Sequence, residues 1–187
     1  MSGDPLLAAA YQAFARHGFK RTTMADVAEA AGISRPALYL RVTNKEALLH
    51  LVADALLAAS LDAARRAAAS PGPLAERAEA VLLAKLGLTL DLASRSEHAA
   101  ELLEQYHRVA PESVEAYLEA LQVVLGGVLA ESGADEQRCA ALAASLIATV
   151  LGLEMALDQP DRARLLLHEL TATVAAALST AAATSGK

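Results

Sequence analysis

The sequence contains a single cysteine, Cys139, which excludes an internal disulfide bond. The absence of a disulfide bond is expected of a protein in the reducing cytosol. Tryptophan is absent, and aromatic residues make up only 3% of the chain, although 55% of the residues are hydrophobic. Because β-branched runs are also few, the core must consist mostly of alanine and leucine in helices. No segment has the alternating pattern of a strand, so the predicted fold class is all-α.

Three further absences narrow the functional classes. The N-terminus lacks a basic region, and Gln12 and Arg16 interrupt its apolar run, so no signal peptide is expected. The longest apolar stretch, residues 139–153, is shorter than the ~18–20 residues of a membrane span. Gly-rich nucleotide-binding loops are absent. The sequence therefore predicts a soluble cytoplasmic protein with no cofactor and no membrane partner.

The net charge of −6 argues at first sight against a nucleic-acid partner, but its distribution removes the objection. Residues 1–50 carry six basic and four acidic side chains, a net charge of +2. The remaining residues carry ten basic and eighteen acidic side chains, a net charge of −8. Since phosphate contact requires only a local basic patch, this distribution is typical of a DNA-binding module attached to an acidic body.

Residues 22–49, TTMADVAEAAGISRPALYLRVTNKEALL, have the pattern of a helix-turn-helix. Thr23 and Asp26 form a pair resembling a capping box at the start of one short helix. Gly32 follows that helix, at a position that needs a left-handed conformation. Ser34 is predicted to cap the next helix, with Pro36 in its first turn.

The second of these helices would enter the DNA major groove. Arg35 is the candidate for a base contact, because arginine can bind guanine O6 and N7 with two hydrogen bonds; a phosphate contact or a solvated side chain is the alternative. Asn44 can cap a third helix, and Lys45 at its start lies beside exposed N–H groups, where it can meet a phosphate. Leu38 is expected to point to the core, which turns outward Arg35, Ala37, Tyr39 and Arg41.

This pattern strongly resembles the TetR (tetracycline-repressor-like) family of bacterial regulators. The resemblance covers about the first quarter of the chain. Two positions depart from the family pattern: Val42 stands where phenylalanine is usual, and Arg35-Pro36 replaces a small or Lys-Gly pair. The resemblance is carried by Ala9-Ala10, Phe14 to Gly18, Thr22-Thr23, Val27-Ala28, Ala30 to Ser34, Leu38-Tyr39, Asn44 to Glu46, and Leu48.

The resemblance implies a homodimer that binds an inverted-repeat operator in double-stranded DNA and responds to a small-molecule effector. It places Thr23, Tyr39 and Lys45 on phosphates; a partly buried packing role is the alternative for Tyr39. We expect a DNA-binding domain at residues 1–49 and an effector-binding and dimerisation domain at residues 50–187. The predicted DNA-binding residues are Thr23, Ser34, Arg35, Pro36, Ala37, Tyr39, Arg41 and Lys45.

Six more helices are predicted after the helix-turn-helix, giving about nine in all. The Pro/Gly cluster at residues 70–73 and Ser132-Gly133 mark breaks between them. Ser96 is predicted to cap one of them, and residues 184–187 are expected to form a frayed tail. The predicted helices span residues 45–69, 74–93, 96–108, 111–131, 135–157 and 161–180.

The helix expected at residues 135–157 is apolar on most sides and must therefore be buried on most sides. Small residues recur at every fourth position and allow close packing against another helix. We expect this helix and the last one to form a four-helix interface between two copies related by a twofold axis; a central helix of a monomeric bundle is the alternative. The predicted interface residues are Ala140, Ala144, Ala148, Gly152, Leu167, Leu170 and Val174.

The resemblance implies an effector pocket in the middle helices. Glu154 is the sharpest candidate, being the only charged residue between Arg138 and Asp158; a place near solvent at the helix end is the alternative. The carboxylates favour a cationic or hydrogen-bond-donating ligand, and the aliphatic composition favours a lipophilic one. The candidates are His98, Glu101, Glu104, Tyr106, His107, Tyr117 and Glu154.

An enzyme is not expected. Glu104-x-x-His107 has the spacing used in di-iron carboxylate bundles, but such bundles need two of these motifs and no second one occurs, so no metal site is predicted. Cys139 has no catalytic partner in the sequence and is interpreted as a small core residue, with redox sensing as the alternative. The predicted function is a ligand-responsive repressor; the alternative is a DNA-binding activator or architectural protein without a small-molecule switch.

Overall fold

The computed structural model describes residues 4–154 and 159–185, and over these residues the chain forms nine helices and no strand. The prediction of an all-α fold is confirmed. The helices are α1 Pro5–His17, α2 Met24–Ala30, α3 Arg35–Tyr39, α4 Lys45–Ala69, α5 Leu74–Arg95, α6 Ala99–Val109, α7 Pro111–Ala130, α8 Glu136–Leu153 and α9 Pro160–Ser185.

The start of α6 and the end of α9 differ from the prediction by three residues or more. Helix α6 begins at Ala99 rather than residue 96, because the Ser96 hydroxyl donates to the Ala15 carbonyl and accepts from the His98 N–H instead of capping a helix. Helix α9 continues to Ser185, so part of the expected tail is helical. Residues 155–157 of the predicted eighth helix, residue 158 of the turn and residues 186–187 of the tail lie outside the described residues.

The caps of the helix-turn-helix form as predicted. The Thr23 hydroxyl accepts from the Asp26 N–H at 3.2 Å, and the Asp26 carboxylate accepts from the Thr23 N–H at 2.8 Å. These hydrogen bonds, the one from the Thr23 backbone above all, lower the pKa of Asp26. Gly32 ends the motif's first helix with φ +66°, a left-handed conformation that costs glycine little. Asn44 caps α4 through its side-chain oxygen, 2.7 Å from the Ala47 nitrogen.

By packing, the chain divides into two compact units, neither of which is a continuous segment. Unit 1 contains the described residues up to Ala59 together with Asp91–Glu115. Unit 2 contains Ser60–Leu90 and the described residues from Ala116 onwards. Helix α6 therefore packs with the helix-turn-helix. The division by role predicted from the sequence, with a DNA-binding domain at residues 1–49 and an effector-binding domain at residues 50–187, assigned α6 to the effector-binding domain. That division by role stays a prediction.

The core of unit 1 joins the helix-turn-helix to α1, α4 and α6. Phe14, Leu38 and Leu102 lie in one buried cluster. The rings of Phe14 and Phe19 have centroids 5.6 Å apart at a tilted angle, a favourable arrangement for an aromatic pair. Val42 is buried in the same cluster, so the smaller side chain at this position still fills core space.

Unit 2 is built almost entirely from aliphatic side chains, as the composition predicted. Fully buried residues of this unit come from the end of α4 and from α5, α7, α8 and α9. Cys139 on α8 is 2% exposed and packs as a small core residue. The largest of the fully buried side chains are Leu82, Leu86, Leu121, Leu125, Leu129, Leu167 and Leu178.

Three helices in the described part of the chain are long and apolar enough to cross a membrane, judged by length and composition: α4, α7 and α8. Their most apolar windows have mean hydropathies of 1.6, 1.3 and 1.2, and 33%, 28% and 28% of each window is buried. The argument from the longest uninterrupted apolar stretch therefore does not exclude a span. Helices rich in alanine and leucine reach this mean hydropathy even when polar residues interrupt them.

Candidate nucleic-acid interface

Helix α3 is held so that one side is buried and the other is open to solvent. The Ser34 hydroxyl accepts from the Ala37 N–H at 3.2 Å and fixes the helix start. Leu38 is fully buried in the core of unit 1, as predicted. Arg35 and Tyr39 are exposed, and Ala37 is half-buried. The helix therefore presents an arginine and a tyrosine on a short, capped and anchored scaffold.

Two side chains next to α3 have features that the sequence alone did not predict. Leu40 is 89% exposed, an unusual place for a leucine, and no local pattern distinguished it from the buried Leu38. Arg41 forms an ion pair with Asp4, with Nη1 3.3 Å from Oδ1, and this contact lowers the pKa of Asp4. Arg41 would have to exchange that carboxylate for a phosphate to contact DNA.

The side chain of Lys45 forms hydrogen bonds to backbone carbonyls of the protein itself. Its ammonium donates to the carbonyls of Phe19 at 2.7 Å, Thr22 at 2.9 Å and Lys20 at 3.2 Å. It also lies 4.6 Å above the centre of the Phe19 ring, within the range of a cation–π contact. Since an ammonium has three donors, these carbonyls use all of them. The phosphate contact stays a prediction, and the geometry favours a role in holding the loop between α1 and α2.

The opposite side of this loop is held by α6 and the residues before it, all within unit 1. The Glu101 carboxylate accepts from the Lys20 N–H at 3.0 Å. The Ser96 hydroxyl donates to the Ala15 carbonyl at 2.6 Å. Gly18 has φ +77°, and a Cβ there would lie 2.8 Å from Glu101 Oε2, so only glycine allows this approach. The loop that leads into Thr23 is therefore fixed by Lys45 and Glu101.

We predict that Glu101→Ala loosens this loop. The substitution removes the charged acceptor of the Lys20 N–H. We expect the free energy of unfolding of unit 1 to fall by about 1 kcal/mol, which is at the low end for such hydrogen bonds because the contact is exposed. Amide hydrogen exchange at Lys20 and its neighbours should become faster. Glu104→Ala, which removes an exposed carboxylate from the same helix, is the matched control. Equal exchange rates in the two variants would contradict the role of Glu101.

The seven candidate effector residues are divided between the two units, and His98 lies in unit 1. Glu101, Glu104, Tyr106 and His107 lie on α6 in unit 1, whereas Tyr117 and Glu154 lie in unit 2. Glu104 and His107 are exposed, with His107 Nδ1 2.7 Å from the Leu103 carbonyl oxygen. Within the described part of the chain, the Tyr106 hydroxyl is buried without a hydrogen-bond partner, and burial raises its pKa.

Unit 2 contains a polar cluster that the sequence predicted only in part. The Lys85 ammonium donates to Glu154 Oε2 at 2.7 Å, and the Thr89 hydroxyl donates to Glu154 Oε1 at 2.7 Å. Glu154 is therefore paired and largely buried, not solvated at the helix end. Lys85 was missed although a signal was present: it is the only charged residue between Glu79 and Asp91, as Glu154 is between Arg138 and Asp158.

Tyr117 adjoins this cluster. Its hydroxyl lies 2.7 Å from the Ser60 hydroxyl, which in turn donates to the Ala84 carbonyl at 2.8 Å. Burial above all, together with the nearby charge of Glu154, raises the pKa of Tyr117 to about 12 against the lowering effect of the Ser60 hydrogen bond. The phenol therefore stays protonated at neutral pH and acts as a hydrogen-bond donor.

The predicted dimer surface is exposed on α8 and mixed on α9. Ala140, Ala144, Ala148 and Gly152 are all exposed and form one stripe, opposite the buried side that includes Leu146. On α9, Leu170 and Val174 are half-buried, but Leu167 is 0% exposed and packs inside its own unit. Leu165 and Leu166, which the helical spacing did not single out, are 58% and 47% exposed.

Two further features bear on other kinds of site. An open depression of about 600 Å³ in unit 1 is lined by Arg16, His17, Arg21, Asp26, Glu29 and Ala30, none of which is an effector candidate. Over residues 4–154 and 159–185, no group of three His, Cys, Asp or Glu side chains is placed to hold a metal ion.

An anchored helix-turn-helix with an exposed second helix, on an otherwise helical chain, defines the class of helix-turn-helix DNA-binding proteins. Residues 6–52 match the sequence profile of the bacterial regulatory proteins of the tetR family. The transcriptional regulator TtgR of Pseudomonas putida is 43% identical over 51 residues, which are 27% of this chain and 24% of TtgR. Residues 6–52 therefore resemble the N-terminal segment of tetR-family regulators, and the match spans about a quarter of the length of TtgR.

Solved structures extend the similarity of fold to nearly the whole chain. The fatty acid degradation regulator FadR of Bacillus halodurans matches with a TM-score of 0.65 and 17% identity, over 92% of this chain and 93% of FadR. The TetR family repressor AlkX of Dietzia sp. matches with a TM-score of 0.58 and 22% identity, over 94% of each chain. At these identities the similarity describes the fold.

Proposed function

We propose that the protein is a dimeric transcriptional repressor that leaves an inverted-repeat operator when a small-molecule effector binds the helical body. The observation that carries this proposal is the exposed side of α3, where Arg35 and Tyr39 stand free of the core while Leu38 anchors the helix. A helix held in this way fits the major groove. The net positive charge of residues 1–50 supports phosphate contact by the same part of the sequence.

The dimer and the operator symmetry belong together in this proposal. The exposed small-residue stripe of α8, with Leu165 and Leu166 of α9, offers apolar surface to a second copy. A twofold dimer presents two recognition helices to half-sites about 34–36 Å apart or at a related spacing, so the operator is an inverted repeat.

The effector response requires a coupling free energy between the body and the DNA-binding helices. The polar cluster of Lys85, Thr89, Tyr117 and Glu154 in unit 2 supports an effector site there, because polar groups held among aliphatic side chains are typical of a ligand pocket. The fixed loop between α1 and α2 supports a response in unit 1, since Glu101 and Lys45 hold the residues that lead into α2.

The proposal is tested by selecting binding sites from random double-stranded DNA with the purified full-length chain at a fixed salt concentration. A single inverted-repeat motif is the expected result. Binding without sequence preference would instead favour the architectural alternative, which the modest basic patch alone would permit. A motif at which binding promotes transcription in a reporter assay would identify an activator.

Arg35→Ala should then weaken binding to the selected operator by about 1–3 kcal/mol, because a bidentate contact to guanine is lost. The same loss should relax base selectivity at one base pair in each half-site. Fluorescence anisotropy with the operator and with single-base variants measures both effects. Arg16→Ala, which removes an exposed arginine of α1, is the charge-matched control. If Arg35→Ala weakens all sequences equally, Arg35 contacts a phosphate and does not read a base.

A further inference from the structure

The ion pair of Lys85 and Glu154 stands out in an otherwise aliphatic unit. The two side chains are only 11% and 13% exposed. Removing two charges from water costs about as much as their attraction returns, so a buried pair of this kind adds little stability over apolar side chains of similar size. Stability alone therefore does not explain why unit 2 contains this ion pair. The hydroxyls of Thr89 and Tyr117 add further polar groups to the same region.

The two partners are not equally fixed. Lys85 lies in the middle of α5, and its side chain is only 11% exposed. Glu154 is the C-cap of α8, at the end of the helix where backbone carbonyls disfavour a negative charge. The carboxylate is thus held at an unfavourable helix end by Lys85 and Thr89. Of the two charges, the anion is the one that can be exchanged.

We propose that Lys85 binds the anionic head group of an aliphatic effector, and that Glu154 occupies this position as an internal competitor until the effector replaces it. The Thr89 hydroxyl, which donates to Glu154 Oε1, is placed to donate to the incoming anion. Leucine and valine side chains of the unit suit an alkyl chain better than an aromatic ring system. This inference rests on the proposed effector response and reverses the ligand charge that an unpaired Glu154 would favour.

The test uses the full-length protein and three probes that carry the same alkyl group: sodium dodecanoate, 1-dodecanol and dodecyltrimethylammonium. Each probe is kept below its solubility limit or its micelle-forming concentration. Isothermal titration calorimetry measures each affinity for the wild type, Glu154→Gln, Lys85→Met and the control Glu119→Gln, an exposed carboxylate of α7. Dodecanoate should bind Glu154→Gln about tenfold more tightly than the wild type, because the competing carboxylate is gone. It should bind Lys85→Met at least about tenfold more weakly, and Glu119→Gln as the wild type does.

Lauroyl-CoA is added as a second source of an anionic group on the same alkyl chain. Tighter binding of either anion to Glu154→Gln supports the proposal, and the better-bound anion identifies the source. Tighter binding of the cationic probe to the wild type than to Glu154→Gln would overturn it, and so would equal dodecanoate affinities in the wild type and Glu154→Gln. Circular dichroism confirms that each variant is folded. If Lys85→Met does not fold, the comparison of the wild type with Glu154→Gln decides alone.

The failure of this inference is separable from the failure of the proposed function. A chain that selects an operator but binds no anionic probe, in the wild type or in Glu154→Gln, remains a repressor with another effector, and Lys85 is then not an anion site. A chain that binds dodecanoate as described but selects no operator keeps the anion site and loses the repressor function.

Discussion

A chain carrying Ala144→Arg is expected to be monomeric at micromolar concentration and to lose at least about a hundredfold in affinity for an inverted-repeat operator. Ala144 is exposed in the middle of the small-residue stripe of α8. An arginine there would hold two like charges close to the twofold axis and prevent the close approach that alanine allows, and an uncompensated buried charge costs about 3–5 kcal/mol. The loss of operator affinity follows because a monomer engages one half-site only.

Size-exclusion chromatography with light scattering measures the mass, and fluorescence anisotropy measures binding to the full operator and to a single half-site. Ala69→Arg is the matched control, since it places the same charge on an exposed alanine at the end of α4. A dimeric Ala144→Arg chain with undiminished operator affinity would show that the dimer, if it forms, uses another surface. The folded state of both variants is checked by thermal unfolding.

Lys45→Met is expected to destabilise unit 1 by about 2 kcal/mol and to raise amide exchange across residues 18–26. The substitution keeps the length of the side chain but removes every donor from the carbonyls of Phe19, Lys20 and Thr22. Hydrogen bonds from charged groups contribute about 1.5–3 kcal/mol each when fully formed, and the partial exposure of this site reduces the sum. Operator affinity should fall because Thr23, the N-cap of α2, follows this loop directly.

The same variant separates the two roles considered for Lys45. If the ammonium holds the loop, stability falls and the slope of log affinity against log salt stays as in the wild type. If it contacts a phosphate, the slope falls by about one and stability is unchanged. Lys20→Met, which removes an exposed lysine of the same loop, controls for the loss of a positive charge. Hydrogen exchange and anisotropy over a range of salt concentrations supply the two measurements.

The features that could be predicted from the sequence depend on residues close together in the chain. The capping box of Thr23 and Asp26 spans three positions, and Gly32 marks a turn by its own conformational preference. Helical periodicity also placed Leu38 in the core and the alanine stripe of α8 on the surface. Such local signals were sufficient for the all-α fold and for the helix-turn-helix.

The features that could not be predicted depend on pairs far apart in the sequence. Glu101 and Lys20 are separated by 81 positions, and Lys85 and Glu154 by 69. Periodicity identifies the apolar side of a helix but not its neighbour, which is why Leu167 was expected on a surface and is buried in its own unit. For the same reason the hydrogen bonds of Lys45 to three carbonyls could not be predicted, while its phosphate contact stays a prediction.

The burial of the one cysteine has a practical consequence for measuring how such a protein works. Because Cys139 is 2% exposed, thiol-directed reagents should leave the native chain almost unlabelled. A cysteine introduced at an exposed position of unit 1, such as Glu104→Cys, would then carry the only spin label in each copy. If two copies associate as proposed, pulsed electron paramagnetic resonance would give the distance between their labels with and without a candidate effector. The proposed change in the separation of the two copies could then be measured directly in solution.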